Sequence, residues 1–304
     1  MADSQAPVVI RAGKHKIPIT HPERVVYPED GITKLDVIRY YEEVAQHMLP
    51  LLRNRPLTME RYPENISKGG FFQKEIGPYF PSWIPRVTLP KEDGTVTHVL
   101  CNDRAALLYL ANQNCLIYHI SLARADQWEY PDQLVFDLDP PADFEQARRV
   151  ALWLKGDLED LGLTPFVKTT GGRGLHVLIP IRRTVTFEDA RTIARWIAER
   201  LAARVPEEIT MEQRKSDRGE RLFLDVNRNG IAQTVVAPYS LRARAGAPVA
   251  APISWEELRE GIQPQQFNLR TMPDRLRQGI HPWRGMRLRA AGLEAILKRV
   301  KERA

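Results

Sequence analysis

Cysteine is nearly missing from this 304-residue chain: Cys101 and Cys115 are the only two, and they form no Cys-x-x-Cys pair. Zinc-binding and redox motifs therefore have no support, and a reducing cytoplasm is the expected setting. No apolar run reaches the roughly 20 residues that a membrane helix needs, and no secretory pattern is present, so no membrane partner is expected. Internal repeats and low-complexity linkers are lacking too. No Gly-x-Gly-x-x-Gly opens a helix and no Gly-Lys-Ser/Thr ends a glycine loop, which argues against Rossmann and P-loop nucleotide sites.

What is present is a globular composition, 43% hydrophobic, on a chain long enough for a substantial core. The net charge of +6 favours an anionic partner without naming it. Apolar residues recur at helical spacing over Lys34 to Leu52, Arg104 to Gln113, Phe144 to Leu161 and Phe187 to Arg204, with strand-like runs between the later ones. The pattern predicts a mixed α/β fold, one compact domain over 1–304 with N-terminal elements (roughly 1–130) around a sheet-bearing core (roughly 131–245). Ala243 to Pro252, rich in Ala, Gly and Pro, reads as an exposed connection to a helical tail (roughly 253–304) built from Trp255 to Gly261 and Met286 to Arg303.

Three carboxylates stand on apolar strand-like segments: Asp137 and Asp139 in Leu134-Val-Phe-Asp-Leu-Asp-Pro140, and Asp225 in Arg221-Leu-Phe-Leu-Asp-Val226. Residues i and i+2 of a strand share a face, so Asp137 and Asp139 repel one another unless something positive sits between them. A divalent ion, Mn²⁺ or Mg²⁺, takes carboxylate oxygens and shares its remaining coordination with phosphates; two such ions could clamp both oxygens of a nucleotidyl transfer. The plainer reading is that these are strand ends, since Asp-Pro leaves a strand and Asn227-Arg-Asn-Gly230 is a turn.

Other segments favour phosphate chemistry. Phe166 to Thr170 and Leu175 to Ile181 flank Gly171-Gly-Arg-Gly174, a hairpin whose glycines let backbone N–H groups approach an anion and whose Arg173 adds positive charge. His176 follows in the second strand, able to donate to a phosphate or to orient an aspartate. Arg214, Lys215, Arg218 and Arg221 precede Asp225, and Arg228, Arg242 and Arg244 follow it; guanidinium groups suit bidentate phosphate recognition.

Phe136-Asp-Leu-Asp-Pro140, Thr170-Gly-Gly-Arg-Gly-Leu-His176 and Leu224-Asp-Val226, in this order, resemble the three motifs of the polymerase domain of bacterial ligase D. The resemblance extends over most of the chain, including His21-Pro-Glu-Arg-Val-Val-Tyr-Pro28, Gly70-Phe-Phe-Gln-Lys-Glu75 and Leu110-Ala-Asn-Gln-Asn-Cys-Leu-Ile-Tyr-His119. That family belongs to the archaeo-eukaryotic primase superfamily and works with Ku in non-homologous end joining. The resemblance implies an RRM-like catalytic core with flanking helices. It makes Asp137, Asp139 and Asp225 the ligands of two Mn²⁺ or Mg²⁺ ions, with Asp225 also preparing the attacking 3′-hydroxyl. Thr170, Gly171, Gly172, Arg173 and His176 would hold the triphosphate. His119, Arg218, Arg228, Gln233, Arg242 and Arg244 would complete the nucleotide pocket. Phe71 and Phe72, which alone read as core aromatics, would stack on a base or template nucleotide. Lys16 and Arg24 would hold the 5′-phosphate of a broken end. Glu60 departs from the lysine of some relatives, and Arg61 is the neighbour that could substitute for it.

The function expected is template-directed nucleotidyl transfer that extends 3′ ends and fills short gaps beside a 5′-phosphate, in end joining or excision repair. Ribonucleotides are the expected preference over deoxyribonucleotides, and Ku and a separate DNA ligase the expected partners. The alternative is a non-catalytic DNA-end binding or scaffolding subunit, against which the intact acidic residues argue. Lys91-Glu-Asp-Gly94 fits the Lys-x-Asp-Gly pattern of nucleotidyl-lysine ligases but reads better as a hairpin turn.

Overall fold

The structure, a computed structural model, describes residues 8–302. Two short hairpins come first, β1 (Val9–Ala12) with β2 (His15–Pro18) and β3 (Val25–Tyr27) with β4 (Ile32–Thr33), followed by helix α1 (Lys34–Leu52). Thr33 and Asp36 cap α1 reciprocally, each side chain accepting from the other residue's backbone N–H. Val37, Tyr41, Val44, Met48 and Leu52 recur every three or four residues and are buried, which is why this stretch is a helix and which face it turns inward.

The next elements are β5 (Leu57–Arg61), β6 (Phe71–Gln73), β7 (Arg86–Lys91), β8 (Gly94–Val99), α2 (Arg104–Asn112) and β9 (Cys115–Ser121). Lys91 sits opposite Gly94 at the tip of the β7–β8 hairpin, so the Lys-Glu-Asp-Gly stretch is a turn. The chain continues through β10 (Gln133–Asp139), α3 (Phe144–Asp160), β11 (Phe166–Thr169), β12 (Leu175–Pro180), α4 (Phe187–Arg204), β13 (Ile209–Thr210), β14 (Leu222–Asp225) and β15 (Thr234–Val236). It ends with β16 (Pro252–Ile253), α5 (Trp255–Glu260), α6 (Thr271–Arg277) and α7 (Glu294–Lys301).

Two sheets organise ten of these strands, and the pairs β1–β2, β3–β4 and β7–β8 stand apart as two-stranded hairpins. The larger has the order β13-β14-β10-β12-β11-β16 and is antiparallel except for the parallel pair β13–β14. The smaller has the order β15-β9-β5-β6. Central strands β10 and β12 are apolar and largely buried, and α3 and α4 pack on them. Alternation along β10 puts Phe136 and Leu138 on one face, and Asp137 and Asp139 on the other, where a cleft opens toward β15, β9 and β6. The expected mixed α/β architecture with a central sheet and flanking helices is borne out.

Two local expectations need correction. Ala243 to Pro252 is not an exposed connection: only its first half is open, while Ala247, Val249, Ala250 and Ala251 are fully buried. Its small residues allow close packing, and Thr169 N donates to Ala251 O while Ala251 N donates to Thr169 Oγ1, which makes it the approach to β16, an edge of the main sheet. The stretch Met286 to Arg303 is not one helix. A short 3₁₀ turn (Met286–Arg289) and α7 are separated where Ala291 pairs with the end of β12, its N–H donating to Pro180 O and its carbonyl accepting from Arg182 N. Sheet-type pairing there excludes helical dihedrals, and Arg303 lies outside the described residues.

Candidate active site

Strand register builds the site. Asp225 on β14 is the direct partner of Asp137 on β10, Asp137 of His176 on β12, and His176 of Lys168 on β11. Cross-strand partners leave the sheet on the same face, so Asp225, Asp137, His176 and Lys168 form one row across four strands. Asp139 stands one step further out on β10, with its side chain 56% exposed. The turn after β14 places Arg228: Asn229 exchanges two hydrogen bonds with the backbone of Val135, and Asp225 accepts from Asn227 N at 2.8 Å. Arg228 Nε lies 3.7 Å from Asp137 and 3.5 Å from Asp225, and Arg218 Nη1 lies 3.7 Å from Asp139.

The electrostatics of the row are uneven. Burial alone would raise the Asp137 pKa, but His176, Arg228 and Lys168 outweigh it and hold the carboxyl below its ordinary value. Burial and the Asp137 charge push Asp225 up, against the hydrogen bond from Asn227. Burial, then the charge of Lys168, brings His176 down to about 4, so at neutral pH the ring is neutral. Its Nε2 sits 3.3 Å from Asp137 Oδ1. Lys168 itself is pushed down to about 7, by burial first and by Arg242 second.

The glycine turn lies beside this row. Thr170 N and Oγ1 both donate to Gly174 O at 3.1 Å, closing the loop. Gly171 has φ +69, and a Cβ there would come within 2.6 Å of Arg242 Cγ; a Cβ on Gly174 would come within 2.6 Å of Leu138 O. Only glycine lets the turn lie this close to β10 and to the arginines. Arg242 Nη1 donates to Thr170 O at 3.1 Å, the Arg244 guanidinium lies against Gly172, and Arg173 is exposed. The glycine turn and three guanidinium groups thus meet in one concavity, a suitable host for a polyanion.

The smaller sheet supplies the far wall. His119 on β9 donates through Nε2 to Glu60 Oε2 at 2.9 Å, and Tyr62 OH donates to Glu60 Oε1 at 2.6 Å. Burial raises the pKa of Glu60, but these two bonds outweigh it and hold the group below its ordinary value. Glu60 is thus the residue that orients His119. Phe72 is 64% exposed, its ring centroid 5.4 Å from that of His119, and Thr234 to Val236 complete the wall. The enclosed volume is about 380 Å³.

The cleft therefore gathers Asp137, Asp139, His176, Thr170, Gly172, Arg173, His119, Arg228, Arg242, Arg244 and Phe72, with Gly171 and Asp225 immediately behind. Arg218 stands at the rim over the Phe223 ring, holding Glu212 O and Gln213 O. The remaining expected residues are not brought into the cleft. Arg61 is engaged with Gln113 O, Gln73 and Tyr79, with its guanidinium 5.6 Å from the exposed Phe71 ring. Gln233 is exposed just before Thr234. Lys16 is exposed on β2, and Arg24 bonds Asn114. Lys168 and the Glu60–His119 bond went unread in the sequence; a lysine between Val167 and Thr169 in a β-rich run was the signal for the first.

The acidic face also fits a divalent cation by its chemistry. Its donors are all carboxylate oxygens, the hard set that Mg²⁺ and Mn²⁺ prefer. The arginines near it lie at 3.5–3.7 Å, beyond hydrogen-bond length, so the negative charge is incompletely compensated. The carboxylates share a face without converging: among the described residues no group of three His, Cys, Asp or Glu side chains is gathered for an ion.

An acidic sheet face and a basic glycine turn around one cleft define a mixed α/β chain whose open site pairs carboxylates with anion donors. Residues 33–283 match the family described as LigD, primase-polymerase domain, and the chain belongs to that family. It is 34% identical over 252 residues to the multifunctional non-homologous end joining protein LigD of Mycolicibacterium smegmatis, covering 80% of this chain and 32% of that protein. With the bifunctional non-homologous end joining protein LigD of Bacillus subtilis it shares 33% identity over 266 residues, 86% of this chain and 43% of that one. The chain thus spans between about a third and under half of these relatives. The solved polymerase domain from Mycobacterium tuberculosis ligase D in complex with DNA superposes with a TM-score of 0.85 at 31% identity, covering 90% of this chain and 99% of that one. The family resemblance and fold read from the sequence are borne out.

Proposed function

We propose that the chain is a template-directed nucleotidyltransferase that extends 3′ ends and fills short gaps beside a 5′-phosphate in DNA repair, with ribonucleotides preferred. The observation that carries this reading is the row of Asp225, Asp137 and His176 set directly against the glycine and arginine cradle. Carboxylates alone would repel a triphosphate and a cradle alone would only hold one; side by side they suit phosphoryl chemistry at an anchored nucleotide.

Arg173, Arg242, Arg244 and Thr170 would grip the triphosphate, with the N–H groups of the glycine turn. Asp137, Asp139 and Asp225 would hold two divalent ions, Mn²⁺ or Mg²⁺, which when bound neutralise charge building on the phosphates. Asp225 would take the proton of the attacking 3′-hydroxyl as the new 3′-O–P bond forms at the α-phosphorus and the bond to pyrophosphate breaks. Phe72 would stack on the base and His119, fixed by Glu60, would face the nucleotide. Phe71 would stack on a template base, and Lys16 and Arg24 would meet a 5′-phosphate. Gln233, Arg218 and Arg228 would flank the nucleotide, with Arg61 bracing Phe71 rather than replacing a lysine at position 60. Ku and a separate ligase are the partners that end joining by this chain would call for.

The test is single-nucleotide extension of primer–templates that differ in one template base. Incorporation that follows the template base supports the reading; tight binding of DNA ends with no incorporation assigns the chain to scaffolding instead.

A further inference from the structure

Among the described residues only three of the chain's 9 Phe, 9 Tyr and 6 Trp are exposed: Phe71, Phe72 and Tyr79. Large apolar side chains exposed singly need no cause, whereas a group of them marks a contact surface. All three gather at β6, an edge strand of the smaller sheet. Successive residues of a strand point to opposite faces. Phe72, paired with Glu60, faces the cleft beside His119, and Phe71, paired with Arg61, faces the other side. Tyr79 joins Phe71 there: the Arg61 guanidinium carbon lies 5.6 Å from the Phe71 ring centroid and 6.0 Å from that of Tyr79.

The Tyr79 ring is 56% exposed and yet held in place. Its hydroxyl accepts from Arg61 Nη1, and Arg61 is buried and itself fixed, donating through Nη1 to Gln73 Oε1 at 2.6 Å and through Nε to Gln113 O at 2.8 Å. The ring also fills the space that a side chain at position 77 would take, since a Cβ on Gly77 would lie 2.4 Å from Tyr79 Cε1. Ordering a side chain costs entropy, and here that cost falls on folding rather than on a later binding step.

We propose that Phe71, Arg61 and Tyr79 form a second base-stacking site, on the side of the smaller sheet away from the cleft, which takes an unpaired base of the template strand as that strand passes over β6 from Phe72. Two rings with a guanidinium between them present π-faces and positive charge in one surface, the combination that holds unpaired bases with little regard to sequence. A single edge strand separates this surface from the cleft, so one nucleic acid strand can reach both. That the strand is the template rests on the nucleotidyltransferase reading, whereas the stacking does not.

The test is binding, without turnover, of primer–templates with four unpaired template nucleotides, each of the four made abasic in turn, read by fluorescence anisotropy. In the wild type, removing the base that lies on Tyr79 should weaken binding about 5- to 150-fold. Tyr79→Ala should bind that abasic template as well as it binds the intact one, because the base has lost its ring. Tyr79→Phe, which keeps the ring and gives up the hydroxyl, should retain most of the wild-type penalty. The proposal is overturned if no abasic position is coupled to Tyr79→Ala. It is overturned equally if Tyr79→Phe loses the penalty as completely as Tyr79→Ala, which would make the residue a pin for its loop. Coupled binding without any primer extension would sink the nucleotidyltransferase reading and leave the stacking site standing; extension without coupling would do the reverse.

Discussion

Asp137 and Asp225 are direct partners on adjacent strands, two carboxylates facing one another across β10 and β14 with one arginine, Arg228, 3.7 Å and 3.5 Å from them. Like charges directly opposite destabilise a sheet, so the pair is kept at a cost to the fold. Asp225→Asn should therefore leave the melting temperature unchanged or raise it while slowing nucleotide addition by roughly 10²- to 10³-fold, the size expected when one charge-handling group is lost. A variant that melts well below the wild type would show the pair to be structural instead.

Gly174 packs its Cα against the backbone of β10, with Leu138 O 2.6 Å from where a Cβ would be. Backbone cannot swing aside as a side chain can. Gly174→Ala should cost about 1–3 kcal/mol in urea unfolding and raise the KM for nucleotide. An alanine variant as stable as the wild type would mean that the turn lies further from the strand than described.

Phe72 offers the opposite case, an aromatic that the fold does not need. At 64% exposure its removal should change stability by no more than about 0.5 kcal/mol. Loss of one stacked base is worth about 1–3 kcal/mol, so Phe72→Ala should weaken nucleotide or DNA binding roughly 5- to 150-fold by titration. Unchanged affinity would remove Phe72 from the site.

Glu257 and Arg275 tie α5 to α6, with Nη2 donating to Oε2 at 2.8 Å and the arginine almost buried. Burial would raise the Glu257 pKa, but the contacts from Arg275 and Ser254 outweigh it and hold the carboxyl below its ordinary value. The stabilisation is therefore complete above the unfolded-state pKa, roughly 4.3, and is lost as the pH falls through the lower folded-state value. Glu257→Gln should cost about 2 kcal/mol at pH 7, with the gap to wild type closing below about pH 4 in denaturant titrations. A gap that does not narrow at all as the pH falls below about 4 would show that the ion pair is not its source.

The acidic pair Asp137 and Asp139 and the turn at Gly171 to Gly174 were legible because each is a local pattern: i and i+2 on one strand, and glycines between two β-rich runs. The helices were legible for the same reason, with α1 and α4 beginning and ending at the expected residues. What could not be read depends on register. Nothing local says that Lys168 lies opposite His176, or that Thr58 lies opposite His119 so that Glu60 can reach the imidazole. Composition misled at Ala243 to Pro252, where Ala, Gly and Pro suggested a surface linker and the same small residues instead pack against β11. Phe71 and Phe72 show the converse: their residue type alone suggested core, and both are exposed.

The most direct test of the central claim is the rate of single-nucleotide addition into a gapped duplex carrying a 5′-phosphate, in manganese, for the wild type and Asp137→Ala. The account predicts addition by the wild type, faster with ribonucleotides than with deoxyribonucleotides and faster with the 5′-phosphate than without it, and none above background for the variant. Addition by Asp137→Ala at the wild-type rate would contradict it, because the row of Asp225, Asp137 and His176 could not then be where the chemistry occurs.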